Sequence, residues 1–257
     1  MKPTWEIEAA TIQRWREFVN AHIDNQPVKD RRRRNVDRVG IKLSKANLWV
    51  AFVSCQVTTQ QRSGPESSVS RFMQSNSPAL KYQVCRQTKS IQTLLEREFA
   101  AAGLRRGPTM ASNLGRILEL LESGEWKVLL QHLRTLKKNT TKGKEVKVAK
   151  YMQSRKHPGL EPKGSKKSRK FPGLGPKQSR NFIQRIGLSR FEIPLDSRIF
   201  KKLKELGCAF VPRAIALSDE TVYLFMESGL QQIAQALDIY PCELDACIFS
   251  SFDEKDA

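Results

Sequence analysis

The sequence predicts an all-α fold, on three observations. Apolar residues recur at helical spacing through most of its 257 residues. No stretch alternates apolar and polar residues in a way that supports a sizeable sheet. The one convincing extended piece is Phe191–Leu195, an isolated run.

The elements follow in chain order. Residues 7–22 set Ile7, Ile12, Trp15, Phe18 and Val19 near one face of a helix. The cluster RRRRN at 31–35 reads as a solvated basic turn. Residues 45–62 are too apolar for a surface helix and predict a buried central one, ended by SGPESS at 63–68. Residues 88–103 carry Ile91, Leu94, Leu95 and Phe99 on one stripe. Thr109 and Ser112 are candidate caps ahead of Leu114, Ile117, Leu118 and Leu121. The pattern repeats over 124–137 with Trp126, Leu129, Leu130 and Leu133. Ser218 precedes a long helical run to about Asp238, and Pro241 opens a last helix before an acidic tail. These signals divide the chain into an N-terminal helix and basic turn (1–35), a helical subdomain (36–137), a basic insertion (138–170) and a C-terminal segment (171–257).

A net charge of +19 with a pI near 10 favours a polyanionic partner, nucleic acid ahead of an anionic membrane. No apolar run approaches the ~18 residues of a spanning helix, and the N-terminus lacks a secretion signal. The expectation is a cytoplasmic protein, nucleoid-associated if bacterial. Cys55, Cys85, Cys208, Cys242 and Cys247 form an odd, scattered set, which argues against a disulfide framework and against a structural zinc or iron–sulfur site. His22, His132 and His157 lack metal-ligand spacing. No metal and no cofactor are expected. From Arg134 to Arg180 sixteen Lys/Arg face two acids, Glu145 and Glu161; this reads as a DNA track, with a basic linker as the bland alternative. HPGLEPK at 157–163 echoes FPGLGPK at 171–177, but only the second copy has the second glycine and a helix after it.

Residues 171–196, FPGLGPKQSRNFIQRIGLSRFEIPLD, carry the chemistry. Gly173 and Gly175 flank Leu174; glycine permits positive φ and lets a phosphate approach the backbone. Leu174 plugs the turn from inside, and Pro176 suits the first turn of the helix that follows. In that helix Phe182, Ile183 and Ile186 face inward, Lys177, Gln178 and Arg180 remain available, and Gly187 ends it. A glycine turn at a helix N-terminus offers N–H groups to a phosphate. Lys177 beside it is a candidate nucleophile and Asp196 a candidate electrostatic partner. Taken singly, Lys177 is an exposed phosphate-binding lysine and Asp196 a helix N-cap.

FPGLGPKQSRNF resembles the hairpin of the helix-hairpin-helix DNA glycosylases, commonly written LPGVGxKTAxxx. IPLDSRIFKKL is similar to that family's catalytic-aspartate segment, commonly VDTHVxRV, and SCQVTTQQ at 54–61 to its LSxQTT stretch. The likeness spans roughly 36–252 and is specific in these three stretches. Lacking an iron–sulfur cluster, and with 19 residues from Lys177 to Asp196, the chain is closest to the 8-oxoguanine glycosylase/lyase type. The resemblance implies two helical subdomains flanking a DNA-binding cleft with a helix-hairpin-helix motif. It implies a monomer that flips a modified base out of double-stranded DNA, with Lys177 attacking C1′ as a neutral amine and Asp196 stabilising the oxocarbenium character there. Gly173, Leu174 and Gly175, with Lys170 and Lys202, would hold the DNA backbone.

Three further residues stay open. Gln56 is a core-facing polar group or a wedge on DNA. Phe249 and Phe252 read first as core packing and second as a base-stacking wall. The family's pattern is broken in places: Arg198 stands where His is common, the tail ends in EKDA without the terminal lysine of one subfamily, and the 138–170 insertion is long and basic. The expected activity is excision of an oxidised or otherwise modified base with β-lyase activity, 8-oxoguanine being the default. The alternatives are excision of a bulky modified base from phage DNA as antiviral defence, and a non-catalytic helix-hairpin-helix DNA-binding protein.

Overall fold

The computed structural model describes residues 5–61, 64–154, 170–208 and 210–253. The turn at 157–163, with the rest of 155–169, and the tail at 254–257 lie outside them. The described residues are helices and connecting turns, with no strand among them, so the all-α expectation holds. The helices are α1 (Ala9–His22), α2 (Gln26–Arg31), α3 (Lys45–Val57), α4 (Ser68–Gln74), α5 (Tyr82–Gln87), α6 (Ile91–Ala101) and α7 (Gly107–Leu120). They continue with α8 (Trp126–Lys138), α9 (Lys142–Gln153), α10 (Pro176–Arg185), α11 (Ser197–Glu205), α12 (Glu220–Ala236) and α13 (Pro241–Asp253). None is long and apolar enough to cross a membrane, and no group of three His, Cys, Asp or Glu among the described residues is placed to hold a metal ion.

The chain divides into two compact units. One comprises Met1–Ile41, Thr140–Val146 and Gly187–Ala257; the other comprises Lys42–Asn139 and Lys147–Ile186. In the second unit α3 is the buried helix that its composition predicts: Leu48, Trp49, Phe52 and Val53 are fully buried. Ser44 caps it by accepting from Asn47 N at 3.2 Å. It stops at Val57, five residues short of the expected end. The Thr58 and Thr59 hydroxyls donate back to the carbonyls of Ser54 and Cys55 at 2.8 and 2.9 Å, competing with continuation of the helix. Helix α7 begins earlier than expected, so Thr109 and Ser112 lie within it and cap nothing. Pro108 in its first turn, behind Arg106 in the left-handed conformation, sets that start.

The first unit gathers Trp15 and Phe18 of α1, Leu203 of α11, Met226 and Leu230 of α12 and Leu244 of α13 into one core. The RRRRN cluster is not a free turn. It prolongs α2 as a π-helical turn over Arg32–Val36. Arg31 pairs with Asp245 at 2.8 Å, and Arg32 with Glu243 at 2.6 Å. Asn35 is buried and donates to Ser189 O at 2.9 Å. The acids that bind the cluster come from a helix some 200 residues on, which local composition does not reveal.

The extended run before Asp196 has no strand partner, yet its N–H groups are bonded by side chains, as burial demands. The Glu145 carboxylate of α9 accepts from Arg190 N at 2.7 Å, Phe191 N at 3.0 Å and Glu192 N at 2.9 Å, and from the Ser189 hydroxyl at 2.9 Å. Glu227 of α12 accepts from Ile193 N at 2.7 Å. Residue 194 is proline and has no N–H. The Tyr223 hydroxyl accepts from Leu195 N and donates to Ile193 O, both at 2.7 Å. Burial pushes the Glu145 pKa up, while its three backbone N–H bonds and the Ser189 hydroxyl favour the charged form. Glu145→Ala strands several buried donors and is expected to destabilise the protein by about 3 kcal/mol or more. Tyr223→Phe is expected to cost about 1–3 kcal/mol. Both are read as a lower urea midpoint at unchanged m; midpoints equal to wild type would show that the run is held by something else.

Candidate functional site

The Gly-rich turn at 171–175 is built into the second unit from below. Phe171 is fully buried, 5.3 Å ring to ring from Phe52 of α3, which lies 4.5 Å from Phe182 of α10. Leu174 is fully buried, the internal plug that the sequence suggests, and its N–H donates to Phe171 O at 3.1 Å. Gly173 has φ +79°. Beneath it lies Gln56, 2% exposed, whose amide donates to Pro172 O at 2.8 Å and accepts from Asn113 Nδ2 of α7 at 3.1 Å. A Cβ at residue 173 would come to 2.5 Å from Gln56 Oε1 and 2.9 Å from Asn113 Nδ2. Backbone conformation and space both demand glycine there.

Pro176 opens α10, as expected, and Gly187 follows it at φ +83°. Gly175 offers no side-chain cap to the start of α10, whereas α3, α11 and α12 each begin with one. Lys177 is half-buried on the first turn of α10. Its charge, with that of Arg185, reaches the Cys55 thiol near the end of α3. Burial dominates there and pushes Cys55 up to about 12, so the thiol stays protonated and donates to Gln178 O at 3.5 Å. Two neighbours of Lys177 depart from expectation. Gln178 is buried and donates to the Thr59 hydroxyl at 2.8 Å; Arg180 is fully buried and donates to Pro176 O at 3.1 Å. The polar side of α10 is turned onto α3, so Lys177 alone of the three keeps exposure.

Lys170 meets the turn from the other side. Its ammonium pairs with Glu125 at 2.6 Å and lies 4.2 Å from the Tyr151 ring centroid, while the Tyr151 hydroxyl donates to Glu125. Burial, then Glu125, pushes the Tyr151 hydroxyl upward. Lys170 N also donates to Ser154 O at 2.6 Å, fastening the turn's entry to the end of α9.

In the first unit Asp196 caps α11. Its carboxylate accepts from Arg198 N at 3.0 Å and Ile199 N at 3.4 Å, and pairs with the Arg198 guanidinium at 3.0 Å. That guanidinium lies 4.2 Å above the Phe249 ring, covering one face of it. Phe252 packs partly buried against the core, with Lys201 and Lys202 each 5.3 Å from its ring. Lys202 is itself buried, pairs with Glu205 at 2.7 Å and lies 4.8 Å from the Phe18 ring. Gln56, Lys170, Gly173, Leu174, Gly175 and Lys177 thus belong to the second unit, and Asp196, Lys202, Phe249 and Phe252 to the first. Sequence reasoning missed Asn113, Glu125 and Tyr151, and singled out Arg198 only as a departure from the family's pattern. The available signals were an amide in the Leu-rich stretch of α7 and an arginine two residues after the aspartate.

No protein-family model matches the sequence, and no curated protein matches it. Solved structures do. The 8-oxoguanine DNA glycosylase of Thermotoga maritima superposes with a TM-score of 0.64 at 15% identity, over 94% of this chain and 96% of that one. That of Methanocaldococcus jannaschii gives 0.61 at 16%, over 94% and 92%. The Methanocaldococcus jannaschii 8-oxoguanine glycosylase/lyase in complex with a 15mer DNA containing 8-oxoguanine gives 0.61 at 15%, over 93% and 95%. The likeness establishes a shared fold along almost the whole chain.

Gly173→Ala is expected to destabilise the protein by at least ~1–2 kcal/mol, since a Cβ disfavours the left-handed backbone, and to displace Gln56. In a double-mutant cycle with Gln56→Ala, the pair should cost at least ~1 kcal/mol less than the sum of the single changes. Strict additivity in urea denaturation would disprove the contact.

Proposed function

We propose that this chain is a DNA glycosylase with β-lyase activity, with 8-oxoguanine as the default base. The observation that carries the reading is the turn over Gln56. A buried amide and a buried leucine hold a glycine turn at one conformation, and the turn delivers a half-buried lysine onto a helix start that has no side-chain cap. Such a start is suited to a phosphate. The fold shared with solved 8-oxoguanine glycosylases supports DNA as the polymer, and a net charge of +19 suits one.

Gly173, Leu174 and Gly175 present the turn to the DNA backbone, and Gln56 acts through the turn that it braces. Lys177 is the nucleophile. Its amine forms a bond to C1′ as the bond from C1′ to the base nitrogen breaks, and the base leaves with that electron pair and takes up a proton. The sugar ring then opens: the nitrogen lone pair forms the C1′=N bond of a Schiff base as the C1′–O4′ bond breaks and O4′ takes up the proton released by the amine. The Schiff base acidifies the C2′ hydrogen; loss of that proton leaves its electron pair to form the C2′=C3′ bond, and the C3′–O bond breaks to expel the 3′ phosphate with its bonding pair, the lyase step. Asp196 supports positive charge developing at C1′. Phe249 fits a base pocket better than Phe252, which is committed to the core. Lys170 and Lys202 already have carboxylate partners and are secondary to the turn in holding DNA.

A non-catalytic reading is favoured by one observation: Asp196 has a complete structural role as a cap paired with Arg198. The two readings separate cleanly. Borohydride should trap wild type on duplex DNA containing 8-oxoguanine, and Lys177→Gln should give no crosslink. Asparagine caps helices as well as aspartate does, so Asp196→Asn should fold and bind duplex normally. It should release base about 10²–10³ times more slowly, the usual loss for one electrostatic contact to the transition state. Tight duplex binding without base release, across oxidised, deaminated, alkylated and phage-type bases, would establish the non-catalytic reading instead.

A further inference from the structure

We propose that the outer face of α8 is a rail for the phosphate backbone of duplex DNA, continuing the path of the strand away from the glycine turn. The inference rests on DNA being the partner of that turn, and adds to it a second contact surface.

The helix is divided into two faces. At 100° per residue, Lys127, Gln131, Arg134 and Lys138 fall within an arc of about 60°. Leu129, Leu133 and Leu136, all fully buried, lie on the opposite side. The four outward residues are exposed, and among the described residues Lys127, Arg134 and Lys138 meet no acid. Helix α8 contains no Asp or Glu at all. A face that serves only for solubility usually intersperses acids at i, i+4 spacing; this one does not.

Helix stability does not explain the pattern either. Lys138 lies at the C-terminal end, where a cation is favourable, but Lys127 lies in the first turn, against the positive end of the helix dipole. A cation kept where it costs helix stability points outward, to a ligand. His132, one residue beyond Gln131, lies within reach of Lys170 and Lys147 of the same unit. Burial, then Lys170 and Lys147, hold its pKa below the usual value.

The rail is joined to the turn within one unit. Glu125, immediately before α8, pairs with Lys170, immediately before Phe171. Tyr151, whose hydroxyl donates to the same Glu125, lies 6.2 Å ring to ring from Phe171. The end of α8 that carries Lys127 therefore adjoins the turn. From Lys127 to Lys138 the helix rises about 16 Å at 1.5 Å per residue, the axial length of about five base pairs.

The test compares wild type with Lys127→Gln/Arg134→Gln/Lys138→Gln, using fluorescence anisotropy on 8-oxoguanine duplexes of graded length across a salt series. Each phosphate contact contributes about 0.9 to the slope of log affinity against log salt, so the triple variant should lose about 2.7. Wild type should gain affinity as the duplex is lengthened by five base pairs on one side, and the variant should not. Single-turnover base release at saturating enzyme should be unchanged. The charge-preserving Lys127→Arg/Arg134→Lys/Lys138→Arg should behave as wild type, which guards against a folding artefact. A triple Gln variant with wild-type slope and length dependence overturns the rail. A wild type that neither binds duplex nor releases base overturns the reading beneath it.

Discussion

The Glu145 carboxylate is the point on which the first unit turns. An all-helical fold has no strand neighbour to receive the N–H groups of an extended segment, and burying them unpaired costs about 1–3 kcal/mol each. Glu145 accepts three consecutive ones, and Glu227 and Tyr223 serve those beyond. A small set of side chains thus does locally what a sheet edge does elsewhere. The run ends at Asp196, so the position of that carboxylate at the head of α11 follows from acceptors on α9 and α12 rather than from its own surroundings.

The same logic governs the glycine turn. What holds it is a buried amide, Gln56, spanning from Asn113 to Pro172 O, together with the packed rings of Phe171, Phe52 and Phe182. A side chain that never reaches solvent can still decide what solvent-facing atoms do, because a turn with one allowed conformation presents its N–H groups in one direction. The requirement for glycine at 173 is the steric shadow of that amide. Lys177 inherits its place from the turn, being the second residue of a helix whose first is a proline with φ already fixed.

The frame was legible from the sequence wherever the signal was local. Apolar periodicity located the long helices, and the FPGLGPK turn, its buried leucine and its N1 proline could be read directly. Several misreadings share one cause, a polar group whose partner is remote in sequence. Gln178 looks like a solvent-facing residue on α10, but its partner is the Thr59 hydroxyl, 119 residues earlier. Arg31 and Arg32 look like a solvated cluster until α13 supplies Asp245 and Glu243. Glu145 was the hardest case, an acid in a stretch of sixteen cations whose four donors sit some 45 residues away. The sign of its charge, wrong for its surroundings, was the one clue that local composition held.

A few other acids are placed inward as Glu145 is. Glu145, Glu227 and Glu243 are buried, and Glu125 nearly so, and each serves a backbone N–H, an arginine or a lysine inside the fold. Charges committed in this way have paid their desolvation and are answered at short range, so they project little field beyond the surface. Exposed cations such as Lys127, Arg134 and Lys138 are screened only by salt. Glu145 and Glu227 hold the extended run and Glu125 the entry to the glycine turn, while the outer face of α8 carries cations and no acid of its own.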